Sequence, residues 1–109
     1  MSDLNIVNDQ NPNSEHKTIL QMIPRGKMNA VSMRYLSIFL GVDQRTIRSM
    51  IAKARIDGNI IAGTDAGLFI PETVSELLEY VRRTQSRIKT SSETLKPAVS
   101  FLEGLEDGD

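Results

Sequence analysis

The chain has 109 residues, of which 39% are hydrophobic and 25% charged, the proportions of a globular domain with one modest core. It contains no cysteine, which excludes disulfides, thiolate zinc sites and cysteine nucleophiles and points to the reducing cytoplasm. No apolar run reaches the roughly 18 residues of a membrane span, and the net charge of −1 conceals an uneven distribution. Residues 1–13 carry two acids and no base, residues 14–60 eight bases and three acids, and residues 61–109 five bases and nine acids. Positive charge sits in one block, the electrostatic footprint expected of a chain that attracts phosphates.

Residues 1–13 hold four Asn, two Asp and one Pro and show no apolar periodicity, so they are expected to form a disordered tail. The globular domain is expected over residues 14–72. In SEHKTILQMI, Ile19, Leu20, Met22 and Ile23 follow a short helical pattern, with Ser14 as a cap and Pro24 as the stop. Pro24, Arg25, Gly26 and Lys27 read as a turn. Ser32 caps a second helix, Met33–Leu40, in which Leu36, Phe39 and Leu40 are spaced to face one side.

After the short Leu40-Gly41-Val42 connection, Asp43 caps a third helix that runs to about Asp57, where Gly58 supplies a left-handed terminus. Two helices joined by about three residues including Gly form a helix-turn-helix pattern. Ile47, Met50, Ile51 and Ala54 make one buried stripe on the third helix. Arg45, Arg48, Ser49, Ala52 and Lys53 fall on the other side. The apolar runs 60–62 and 68–70 flank a five-residue loop, 63–67, and read as a hairpin.

TVSE at 73–76 is a capping box that opens a fourth helix, expected over residues 73–105 and followed by an acidic tail at 106–109. Val74, Val81, Ile88, Leu95 and Leu102 recur every seven residues, and Leu77, Ala98 and Leu105 follow members of that series by three. This is a heptad seam of about 32 residues, roughly 48 Å if unbroken. Thr84 and Ser91 weaken its centre, and Pro97 is expected to kink or restart the helix. The seam either packs on its own domain, mainly on the first helix, or joins two copies of the chain. A helix longer than the domain can cover favours the homodimer.

Gln44, Arg45, Arg48, Ser49 and Lys53 are the residues suited to a DNA major groove, where arginine forks match the guanine edge. Arg25, Lys27 and Arg34 precede or open the second helix and are either contacts to the phosphate backbone or ordinary surface charges. The hairpin tip carries Asp65 and no base, so it offers phosphate little. His16, the sole histidine, is expected to be exposed and structurally neutral. One histidine and no cysteine build no metal centre, residues 58–63 lack a phosphate-binding lysine, and no enzyme signature, cofactor or small-molecule ligand is evident.

GKMNAVSMRYLSIFLGVDQRTIRSMIAKARIDGNIIAGTDAGLFIP, residues 26–71, followed by a helix containing YVRRTQSRIKT, resembles small stand-alone winged helix-turn-helix proteins of bacterial prophage-type regions. Its most specific part is RTIRSMIAKARIDGNII. The resemblance implies a mainly α (α+β) winged helix-turn-helix with a two-stranded wing and a long C-terminal helix, and DNA binding through the third helix. The expected function is sequence-specific binding of double-stranded DNA by a homodimeric transcriptional regulator or replication accessory protein. The alternative is a protein-interaction module that uses the same scaffold without DNA.

Overall fold

In the computed structural model, residues 3–107 are described; Met1 and Ser2 of the N-terminal segment and Gly108 and Asp109 of the acidic end lie outside them. Their order is α1 (Lys17–Met22), a 3-10 turn (Lys27–Asn29), α2 (Met33–Leu40), α3 (Gln44–Ile56), β1 (Ala62–Thr64), β2 (Gly67–Phe69) and α4 (Val74–Asp107). The fold is mainly helical, with one antiparallel hairpin and a long C-terminal helix.

The chain caps its helices largely where the residue types demand it. The Ser32 hydroxyl accepts a hydrogen bond from the Tyr35 amide at 2.9 Å, and the Asp43 carboxylate accepts one from the Thr46 amide at 2.7 Å. Each satisfies a free donor in a first helical turn. Gly41 takes the left-handed conformation that closes α2 (φ 70°). Its amide and that of Val42 both bond the Ser37 carbonyl, while the Ser37 hydroxyl donates to the Val42 carbonyl. The three-residue connection between α2 and α3 is thereby tied to the helix it leaves. At α1 the cap falls two residues later than expected: His16 occupies it, and the Ser14 hydroxyl accepts from the His16 amide in the preceding turn.

Ile19, Leu20, Ile23, Leu36, Ile47, Ile51, Ala54, Ile61, Leu68 and Ile70 form the core. The stripe expected on α3 is buried at Ile47, Ile51 and Ala54, and Met50 is partly buried against it. Phe39 departs from expectation, since it is 64% exposed. The eight-residue α2 turns only a narrow stripe inward, centred on Leu36 with Met33 and Leu40 beside it. Phe39 instead stacks on Tyr35 at a ring separation of 5.9 Å.

The hairpin is tighter than a five-residue loop. Ala62 pairs with Phe69, Gly63 with Leu68 and Thr64 with Gly67, leaving Asp65 and Ala66 as a two-residue turn. Gly67 makes this possible with a φ of 119° that side chains other than glycine rarely adopt. Val31 adds a third edge by exchanging two backbone bonds with Leu68, at 3.0 and 2.7 Å.

Residues 3–13 lie along the domain instead of forming a disordered tail. The Leu4 amide bonds the Glu72 carbonyl at 2.7 Å, the Asn8 side chain bonds both backbone groups of Ile60, and the Asp9 amide bonds the Asn59 side chain at 2.8 Å. Asn8, part of the stretch that reads as disorder, acts here as a substitute for a backbone strand partner.

Helix α4 continues through Pro97 to Asp107. Its capping box is half as expected: the Thr73 hydroxyl accepts from the Glu76 amide at 3.1 Å, but the Glu76 carboxylate takes the amides of Glu72 and Lys27. That redirected carboxylate ties the start of α4 to the 3-10 turn.

Candidate nucleic-acid interface

On α3, one side of the helix is consumed by the core, and a helix of 3.6 residues per turn must present the residues between the buried positions to the outside. Gln44, Arg45, Arg48, Ser49 and Lys53 are all exposed. Among the described residues, Arg45, Arg48 and Lys53 take part in no ion pair. Nothing acidic lies within α3, whose two flanking acids are the caps Asp43 and Asp57. The Asp43 carboxyl is held below its ordinary value by its hydrogen bonds with Thr46, so it stays ionised as a cap. The result is one helix face with three extended cations and two neutral hydrogen-bonding side chains.

The three cations expected around the start of α2 separate. Arg34 is exposed and unpaired among the described residues. The Lys27 ammonium lies 2.9 Å from both carboxylate oxygens of Glu79. The Arg25 guanidinium donates to the Ile6 carbonyl of the N-terminal segment. Two of the three are therefore engaged in holding the fold together.

The hairpin tip differs electrostatically from what its own sequence implies. Asp65 is bonded by Arg83 of α4 at 2.8 Å, and this bond with the adjoining positive charge lowers the Asp65 pKa. An open groove of about 330 Å³ runs between hairpin and helix. Arg55, Tyr80, Arg83 and Arg87 line it, so arginines from two helices offset the lone acid of the tip. Neither Arg83 nor Arg87 carries a sequence signal for this placement, because only the docking of α4 on β1 brings them there.

Arg55 was also invisible as a structural residue. Its Nε and Nη2 both bond the Ile61 carbonyl, at 2.9 and 2.7 Å, and its guanidinium lies over the Tyr80 ring. His16, expected to be exposed and structurally neutral, is only 5% exposed, and its Nε2 lies 2.5 Å from Asp57 Oδ2 at the end of α3. With Glu15 it brings three ligand-type atoms within 4.8 Å. Asp57 already engages the imidazole nitrogen that faces this cluster, so the geometry is that of a hydrogen-bonded clip between α1 and α3.

The residues expected to join two copies are left uncovered. Val74, Val81, Ile88, Leu95 and Leu102 are 42, 36, 64, 58 and 60% exposed, and Leu77 is half-buried. Helix α4 docks on its own domain through a different, polar stripe that includes Glu76, Glu79, Tyr80 and Arg83. Among the described residues no helix is long and apolar enough to cross a membrane. No family model, curated protein or solved structure matches the chain.

Proposed function

We propose that the chain is a winged helix-turn-helix protein that binds double-stranded DNA as a homodimer, in the cytoplasm, with no catalytic role. The observation that carries this reading is the outer face of α3, where exposed Arg45, Arg48 and Lys53 have no ionic partner among the described residues. Gln44, Arg45, Arg48 and Ser49, nearest the helix N-terminus, read base edges; Lys53 and Arg34 hold phosphates. The Val31–Leu68 pairing supports a winged arrangement of the hairpin. Sequence-specific recognition fits a transcriptional regulator or a replication accessory protein.

The test is duplex binding of the native chain and of the Arg45→Glu, Arg48→Glu double variant across a salt series. Affinity of the native chain should fall linearly on logarithmic axes, with a slope near −0.9 per neutralised phosphate. The variant should bind at least about tenfold more weakly at low salt, with a shallower slope. Equal affinities at every salt concentration reject α3 as the DNA face.

A second reading has its own observation. Tyr35, Ile38 and Phe39 expose an apolar patch on α2, at 48, 71 and 64%, the kind of surface that marks a protein partner. A protein-interaction module would lose its partner on Phe39→Ser while failing to bind random duplexes at low salt.

A further inference from the structure

We infer that two copies of the chain pair antiparallel through the uncovered part of α4, about a two-fold axis passing between Lys96 and Pro97. The inference deepens the homodimer reading above and rests on it.

From Gln85 to Glu106 every residue of α4 is exposed, a free helix of about 33 Å. Its seam reads Ile88, Ser91, Leu95, Ala98, Leu102, Leu105, alternating large and small until its last two members. Parallel pairing stacks like on like, so Ser91 meets Ser91 and Ala98 meets Ala98 in two thin layers between thick ones. Antiparallel pairing sets Ile88 opposite Leu105, Ser91 opposite Leu102 and Leu95 opposite Ala98, then repeats the same layers beyond the axis. Each small residue then faces a large one, the arrangement by which facing helix layers interdigitate.

Charge selects the same orientation. Residues 82–89 hold four bases and no acid, and residues 103–109 hold four acids and no base. In the antiparallel register Arg87 and Lys89 of one copy lie beside Glu106 and Glu103 of the other. Parallel pairing sets base against base and acid against acid, at the 8–10 Å typical of packed helices, which is no more than a screening length at about 0.1 M salt.

The covered and uncovered parts of α4 also fit this register. The proposed axis lies near the middle of the exposed stretch. Glu106 of one copy comes opposite Arg87 of the other, just beyond Arg83, which holds the hairpin. In a straight pair the two Val74 residues, at the starts of the two helices, stand about 68 Å apart.

The absence of native cysteine allows single spin labels on the full chain, at Ser86→Cys and separately at Ser100→Cys. The antiparallel pair separates the two Ser86 labels by about 32 Å along the axis and the two Ser100 labels by about 11 Å. Equal short distances at both positions mean a parallel pair and overturn this inference while leaving the dimer intact. Absence of dipolar coupling with a monomeric mass by light scattering overturns both. The charge argument is tested with Glu103→Lys, Glu106→Lys. An antiparallel dimer should dissociate roughly tenfold more readily at low salt and lose that difference near 1 M; tighter association at low salt is the parallel result. Duplex binding measured on the same samples reports the DNA reading separately.

Discussion

The Arg55 guanidinium lies 5.3 Å from the centroid of the Tyr80 ring while two of its nitrogens bond the Ile61 carbonyl. One side chain thus joins the last turn of α3, the entry to β1 and the second turn of α4. Arg55→Ala removes two charge-assisted bonds and leaves a carbonyl of the buried Ile61 without these partners, a loss of about 2 kcal/mol. Tyr80→Ala keeps those bonds and gives up the ring contact, about 1 kcal/mol. Urea unfolding of both variants checks the order. Since Arg55→Ala loses the ring contact as well, a more damaging Tyr80→Ala would show that the Tyr80 ring contributes packing beyond its contact with Arg55.

Gly67 presents a second constraint. A side-chain carbon there would stand 2.5 Å from the Val31 carbonyl oxygen, and the residue's φ is 119°. Gly67→Ala therefore combines backbone strain with a clash against the chain that completes the small sheet, at a cost of at least about 2 kcal/mol. Gly41 also has positive φ but open space around it. Gly41→Asn should cost much less, since Asn tolerates the left-handed region. Thermal midpoints of the two variants test the contrast.

Helix positions were legible because caps and periodicity are local signals. Ser32, Asp43, Gly41, Gly58 and the stripe Ile47-Ile51-Ala54 each depend on residues within a few positions. The outward face of α3 follows from that stripe by helix geometry alone, so the candidate site could be read before any tertiary structure.

Features that needed distant partners could not be read in this way. Asn8 and Ile60 are 52 positions apart, and asparagine-rich sequence looks the same whether its amides bond water or a neighbouring strand. Nothing near Lys27 in sequence signals its ion pair with Glu79, which also lies 52 positions away. His16 is buried because α3 ends against it, and Phe39 is exposed because no described residue outside α2 covers it.

Two acids make the acid response of the fold predictable in sign. Asp43 is held below the ordinary value of 3.8 chiefly by its bond with the Thr46 side chain, and Asp65 by its bond with Arg83. A carboxyl whose folded pKa is lowered contributes stability that is full above its unfolded pKa and is lost as pH falls through the folded value. Both contributions should thus be constant between about pH 5 and 8 and disappear below about pH 4. Asp65→Asn should lower the thermal midpoint at neutral pH and flatten its fall in acid. An unchanged acid slope would show that Arg83 does not hold Asp65 in solution.

Pro97 sits inside α4, where it lacks the amide that would bond the carbonyl four residues earlier. In a helix interior this typically costs about 3 kcal/mol relative to alanine. Among the described residues no tertiary contact offsets the cost, because the helix is exposed from Gln85 to Glu106. Pro97→Ala should therefore increase the helical signal in circular dichroism and leave the unfolding of the domain itself unchanged. Since the proposed two-fold axis passes beside Pro97, restoring the missing helical hydrogen bond there also pre-organises the seam, and the dimer should tighten in the same variant. Greater helicity with no change in association would place the contact between copies elsewhere than on the Ile88–Leu105 stretch.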